Sequence, residues 1–313
     1  MGRWSKILQL NLKTVCAVTA AVILCLIFAY GRFSISVLSP YSAASGRASL
    51  WDDNFKPEGK QRRQRVVSLT PSLTETICAL GAEESLVGVT DNDDYPPSVS
   101  QLPSVGDMYP NLELIAAAAP DLIVYDERLL PSGVAKRLAK LKGRHLPLRL
   151  DSLQDLAEIL PVLGQALDKQ EEANALSHLL ADFIADCRER NRGLKVRPTV
   201  FLVIWPNPIM TVGRSSYINT LIDLAGGQNC YANLAAAYPT VSLEDLLRQD
   251  PDIIIMNCEG WLDISELPGW SSLQAVQKGR VHYIPSSLLH RPTMRSLQGV
   301  KMLRQYCEVD CEG

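Results

Sequence analysis

The 313-residue sequence has no Gly-x-Ser-x-Gly elbow, no Walker loop and no Gly-x-Gly-x-x-Gly turn. The local signatures of a serine hydrolase, a nucleotidase or a dinucleotide enzyme are therefore missing. An active site assembled from distant residues would leave no such mark, so an enzyme remains open as a class. Its four histidines, His145, His178, His282 and His290, show no close ligand spacing, which argues against a free divalent metal as cargo. Low-complexity tracts are absent. Basic charge is scarce beyond the amino-terminal segment: residues 1–65 carry ten Lys or Arg against three acids, net +7, and a total of −3 leaves −10 on residues 66–313. Such an acidic body is a poor match for nucleic acid.

What is present is 47% hydrophobic residues, enough for sizeable cores in two or three folding units. Residues 15–30 form an apolar run preceded by Arg3, Lys6 and Lys13 and followed by Arg32, an asymmetry that keeps the amino terminus inside and sends the rest outward. The run is short for a spanning helix and longer than many signal cores. Ala43 and Ala44 lie too far beyond it for a conventional cleavage site, so an uncleaved anchor is preferred to a signal peptide. The organisation read from the sequence is a signal-anchor or signal peptide over 1–33, a flexible tether over 34–64, an α/β lobe over 65–150, a helical linker over 151–197 and a second α/β lobe over 198–313.

The linker centres on a helix expected over residues 169–192, where Leu176, Leu179, Leu180, Phe183, Ile184 and Cys187 form one stripe of 3.6 period. Asp168 with Glu171 reads as its capping box. The helix before it, over 153–166, is expected to break near Pro161. On either side of the linker one unit occurs twice. Asn111-Leu112-Glu113 is followed by Pro120-Asp121 and Leu122, Ile123, Val124; Ser242-Leu243-Glu244 is followed by Pro251-Asp252 and Ile253, Ile254, Ile255. Each copy predicts a capped two-turn helix, a break and a buried strand. Two matched segments in the same order argue for duplication.

A short strand from Val66 runs into Thr70-Pro71-Ser72, where Ser72 with Glu75 reads as another capping box. That turn joins a strand end to a helix start, where open α/β sheets bind ligands. The turn Pro206-Asn207-Pro208 follows a second strand and should face the same side.

Thr70-Pro71-Ser72-Leu73-Thr74-Glu75, Asp94-Tyr95-Pro96-Pro97, Val105-Gly106, Asn111-Leu112-Glu113, Pro120-Asp121-Leu122, Asn207-Pro208, Ala225-Gly226-Gly227 and Val241-Ser242-Leu243-Glu244 together resemble the helical-backbone, class III periplasmic substrate-binding proteins of ABC importers, nearest to their vitamin B12-binding branch. The resemblance covers about residues 65–305. It implies two Rossmann-like α/β lobes joined by a long rigid helix, with a ligand in the cleft between them. It also implies a monomer in the periplasm, non-catalytic and without a cofactor of its own, that serves ABC permease and ATPase subunits. Glu113 and Glu244 fall at the positions with which the family docks onto permease arginines, and an exposed carboxylate at a helix start suits that role. The ligand residues implied are Thr70, Pro71, Ser72, Asn92, Tyr109, Met210, Tyr238, Ser287 and Arg291. Asn92, Met210, Leu288 and Leu289 stand where B12-binding relatives place large aromatics, which reduces stacking area against a corrin. A corrinoid is the first choice of ligand, ahead of haem or an iron siderophore; a ligand sensor or corrinoid-handling enzyme on the same scaffold is the competing class. His290 suggests an axial ligand to a metal centre, although a solvated loop histidine is the commoner case, and Arg291 or Arg295 a contact for an anionic group.

Of eight cysteines, Cys16 and Cys25 lie in the apolar run, leaving Cys78, Cys187, Cys230, Cys258, Cys307 and Cys311. Disulfides are allowed outside the inner membrane, and six cysteines leave the pairing open. Cys230 with Cys307 or Cys311 is the pairing to test first.

Overall fold

The computed structural model describes residues 63–258, 264 and 267–309. The apolar run over 15–30, the tether as far as residue 62, and Cys311 lie outside these residues. Among those described, no helix is long and apolar enough to cross a membrane.

The first lobe runs β1 (Val66–Ser68), α1 (Pro71–Ala79), β2 (Leu86–Gly88), α2 (Leu112–Ala117), β3 (Leu122–Asp126), α3 (Ser132–Leu138) and β4 (Arg144–Leu148). Helices α4 (Leu153–Leu167) and α5 (Gln170–Arg192) follow. The second lobe begins with β5 (Thr199–Val203), a small hairpin of β6 (Trp205–Pro206) and β7 (Ile209–Met210), α6 (Tyr217–Leu224), β8 (Gln228–Asn229) and α7 (Leu243–Gln249). It ends with β9 (Ile253–Met256), α8 (Gln274–Gln277), β10 (Val281–Tyr283), α9 (Ser286–Leu289) and α10 (Ser296–Val309).

The sheets are ordered β2-β1-β3-β4 and β10-β9-β5-β8, and all their pairings are parallel. Matching β5, β8, β9 and β10 to β1, β2, β3 and β4 makes the two orders identical, so the sequence repeat is a repeat of topology. Parallel strands are covered on both faces, and successive residues point to opposite sides. Val66, Leu122 and Val124 in the first sheet, and Val200, Leu202, Ile253 and Ile255 in the second, share one apolar core with α4 and α5. Val67, Ile123 and Tyr125 pack into a separate core on the other face of the first sheet, and Phe201, Val203, Ile254 and Met256 do so for the second. One continuous apolar body thus joins both lobes to the linker helices. At about 1.5 Å per residue α5 is roughly 35 Å long.

The repeat extends to single hydrogen bonds. The Asp121 carboxylate accepts from Arg65 N–H at 2.9 Å, just before β1. Asp252 accepts from Thr199 N–H at 2.8 Å, at the start of β5. Each Pro-Asp break therefore pins the beginning of the neighbouring strand. The residues before the two prolines, Ala119 and Asp250, both take positive φ, 43° and 39°. Asn111 caps α2 by accepting from Glu113 and Leu114 N–H, and Ser242 caps α7 by accepting from Asp245 N–H.

Several local expectations are corrected. Asp168 does not cap α5: at φ 58° it closes α4, and Lys169 is the residue before α5, without a side-chain cap. The α4–α5 turn has two residues; Asp168 takes the left-handed stop, and Lys169 is left as the cap. Pro161 sits inside α4 without breaking it, because it is exposed and its ring faces solvent rather than the core. In α5 the buried seam is Ala173, Leu180 and Cys187, spaced by seven, while Leu179 is 51% exposed; at 100° per residue it lies farthest from that seam. Cys230 packs into the outer core of the second lobe, whereas Cys307 belongs to the shared core on the other side of the sheet. The β-sheet between them keeps those two sulfurs from being bonding partners.

Asp252 and Thr199 bond reciprocally, since Asp252 N–H also donates to Thr199 Oγ1 at 2.9 Å and Thr199 Oγ1 to the carboxylate at 2.7 Å. Asp252→Ala is expected to lower the unfolding free energy by about 1.5–3 kcal/mol, read as a lower urea midpoint at unchanged m-value.

Candidate functional site

In each unit a parallel strand ends at one edge of its sheet, and the following crossover helix starts there. Thr70, Pro71 and Ser72 stand at that edge of the first sheet, directly after β1. Ser287 and Arg291 follow β10 at the corresponding edge of the second. The β6–β7 hairpin, turning at Asn207-Pro208, extends β5 beyond the same edge. Met210 is bridged to Thr240 and Thr211 N–H donates to the Pro239 carbonyl at 3.0 Å, so the hairpin carries the Tyr238 loop beside Met210.

Helix α1 differs from the expected capping box. It begins two residues earlier, at Pro71, with Thr70 as the cap residue and no side-chain cap bond. Proline supplies the first-turn φ and needs no partner for a missing N–H. Ser72 is therefore already helical, and Glu75 turns inward, its side chain 3% exposed. It meets two arginines of the second lobe: Arg291 Nη1 donates to Glu75 Oε1 at 3.0 Å and Arg295 Nη1 at 3.5 Å. Glu75 Oε2 and Thr70 Oγ1 are buried without a hydrogen-bond partner.

Arg291 also donates to both carboxylate oxygens of Asp94 and to the Asn92 carbonyl at 3.2 Å. Burial works against its charge, but Asp94 and Glu75 more than offset it and hold its pKa above the ordinary arginine value. Arg295 lies with its guanidinium carbon 3.8 Å from the Tyr95 ring centroid, a cation–π geometry, and donates to Ser287 Oγ at 3.1 Å. Tyr217, at the start of α6, shares a hydrogen bond with Ser296 Oγ at 3.3 Å. Burial first, then the nearby Tyr238 and Glu75, push its phenol upward.

The structure thus brings Asn92 to Arg291, Ser287 to Arg295, and the strand of Met210 to the loop that carries Tyr238. Tyr109 is 70% exposed, and its backbone N–H is held by Asp107; nothing draws its ring to the other residues. Leu288 and Leu289 are buried in the shared core, so they are packing residues and not part of an open surface. Glu75, Asp94, Tyr95 and Tyr217 carry no local sequence signal that marks them as neighbours of these arginines. Glu75 carried a signal that pointed elsewhere, since acid three residues after Ser72 imitates a cap. His290, at the end of α9, keeps one side open to solvent and the other against the protein. The protein packed around its ring, and then the Arg291 charge, push its pKa below the ordinary histidine value. Among the described residues no cluster of three or more His, Cys, Asp or Glu is placed to hold a metal ion.

Two cavities of about 320 and 140 Å³ lie in the second lobe, the larger where α5 meets α10 beside Arg190, Leu194 and Arg304, the smaller beside Asn219 and Gln228. Neither is lined by the predicted ligand residues. Asn92, Tyr109 and Tyr238 instead stand on open surface, and the polar residues around Arg291 join the two lobes. Glu113 and Glu244 are exposed in the first turns of α2 and α7, at the strand-end edge of their sheets, and neither has a salt-bridge partner among the described residues.

The profile of the periplasmic binding protein family matches residues 66–288. A vitamin B12-binding protein of Vibrio parahaemolyticus is 29% identical over 244 residues, 76% of this chain and 86% of that protein. The crystal structure of a periplasmic vitamin B12 binding protein of Vibrio cholerae superposes with TM-score 0.69 at 26% identity, covering 80% of this chain and 98% of that one. A periplasmic haem-binding protein of Pseudomonas aeruginosa does so with TM-score 0.68 at 27% identity, covering 78% and 92%.

Asp93, one residue from the Arg291 contacts, accepts from Thr90 N–H at 2.7 Å. Burial raises its carboxyl pKa above the ordinary value, against the pull of the Thr90 hydrogen bonds and of Arg291. The folded state therefore holds this proton more tightly than the unfolded chain. Its contribution to stability falls as pH rises from the ordinary carboxylate range through the raised pKa. Asp93→Asn, which keeps an acceptor for Thr90 N–H, should flatten that part of the pH–stability profile measured by urea unfolding.

Proposed function

Because the chain belongs to the periplasmic binding protein family, we propose that it captures a corrinoid, a vitamin B12-like ligand, between its two lobes and delivers it to an ABC permease and its ATPase. Its broader class is an ABC-importer substrate-binding protein of the B12, haem or siderophore type, and its relatives are binding proteins rather than enzymes. The observation that carries delivery is the matched pair Glu113 and Glu244: third in each repeat, exposed, and at helix starts. A carboxylate so placed is open to bidentate arginine. In this reading Thr70, Pro71, Ser72, Asn92, Tyr109, Met210, Tyr238, Ser287 and Arg291 form the ligand surface. Residues 15–30 anchor a monomer at the outer face of the inner membrane, leaving residues 34–64 as tether and the two lobes in the periplasm.

The choice of a corrinoid is supported by the sequence likeness to vitamin B12-binding proteins. Haem is the second reading, favoured by the likeness to haem-binding structures and by two arginines at the cleft that suit carboxylates. Among the described residues only a few exposed rings, Tyr95, Tyr109, Trp205 and Tyr238, are available for stacking, so edge contacts should carry much of the affinity.

Titration of the full-length protein with cyanocobalamin and, in parallel, with haemin, followed by calorimetry and visible spectra, is expected to give one-to-one binding of cobalamin. Preference for haemin would transfer the reading to haem, and turnover of either ligand would mark an enzyme. Glu113→Ala with Glu244→Ala should leave ligand affinity unchanged and abolish uptake through the cognate permease. Unchanged uptake would favour a ligand sensor.

A further inference from the structure

Two arginines of the second lobe are gripped by one short loop of the first, and the two carboxylates that balance them are not equivalent. The Glu75 side chain is 3% exposed and that of Asp94 63%. Taking Arg291 away from Glu75 would strand a buried charge, a costly change. Exposed pairs exchange partners at little cost, so Asp94 is the replaceable one. The loop is built for this division. Asp93 fixes it to Thr90 through the backbone N–H, which turns the Asn92 carbonyl, the Asp94 carboxylate and the Tyr95 ring toward the arginines. On the other side Ser296 Oγ donates to the Arg291 carbonyl at 2.8 Å and accepts from Thr293 N–H at 3.2 Å, so the backbone of Arg291 is held while its outer edge faces solvent.

We infer that Asp94 is a built-in competitor for the cleft. It holds the outer edge of Arg291 until an acceptor oxygen on the ligand, from a carboxamide or a carboxylate, takes its place. Glu75 is a positioning residue that keeps both arginines directed across the cleft in either state. The inference rests on the reading of the cleft as the ligand site, and it adds a selection rule. A ligand needs acceptor oxygens at its rim to displace Asp94, and an equally large apolar ring system without them does not.

The test is titration of the full-length wild-type, Asp94→Ala, Arg291→Gln and doubly substituted proteins with cyanocobalamin and with haemin, joined to hydrogen exchange of the ligand-free proteins. Asp94→Ala should tighten whichever probe the wild type binds by about two- to fivefold, the scale of one exposed ion pair. Arg291→Gln should weaken binding and remove that gain in the double variant. Equal or weaker binding by Asp94→Ala overturns the competitor role. Without ligand, Asp94→Ala should speed exchange over residues 90–95 alone. Glu75→Gln should speed it there and over residues 286–296, and unchanged exchange in both variants overturns the clasp. If neither probe binds, the corrinoid and haem readings fall. The exchange pattern then decides by itself whether the clasp stands.

Discussion

A parallel sheet has to be covered on both faces, and this constraint organises the protein. In each lobe the central strands are apolar and buried along most of their length, Val66 and Val67 in one, Phe201 and Leu202 in the other. No polar side chain can leave such a strand sideways without losing water. Chemistry is therefore displaced to the edge where the strands end and the helices begin. Thr70, the β6–β7 hairpin, Ser287 and Arg291 all belong to that edge. The shared core through α4 and α5 ties the lobes together, so the two edges are presented by a stiff body in place of two independent domains.

Duplication gives the same constraint two outlets. The matched Asp121 and Asp252 fasten the strands β1 and β5, and the matched caps Asn111 and Ser242 start α2 and α7. With strand and helix both fixed, Glu113 and Glu244 occupy equivalent places on two equivalent lobes. Where the copies diverge, each lobe supplies what the other lacks. The first lobe supplies the acidic loop at Asn92–Tyr95, and the second supplies the arginines at 291 and 295. Their encounter is a contact that neither repeat could make with its own residues.

That encounter also shows how one local pattern supports two structures. Ser72 followed by Glu75 fits a capping box, and in isolation the carboxylate of Glu75 would gain a backbone N–H. In the folded chain Pro71 starts the helix two residues earlier, which moves Glu75 into the second turn and turns it into the interface. Two guanidiniums are a stronger partner for a carboxylate than one amide, so the tertiary contact prevails. Helix α5 tells a similar story: its stripe predicts Leu179 as buried, yet packing along one narrow seam leaves that residue outside.

The sequence by itself determined the class of fold, the long linker helix, the repeated helix–break–strand unit and the exposed pair Glu113 and Glu244, because each is written in local periodicity, capping residues and Pro-Asp breaks. It also marked the turns at Thr70–Ser72 and Asn207-Pro208, since strand-to-helix punctuation is local. Only the tertiary structure decided that Glu75, Asp94 and Tyr95 meet Arg291 and Arg295, that Leu288 and Leu289 are core, and that a sheet separates Cys230 from Cys307. These depend on residues as much as 220 positions apart. Their chemistry is fixed by burial and by opposing charge, and neither exists until both lobes have folded against the linker.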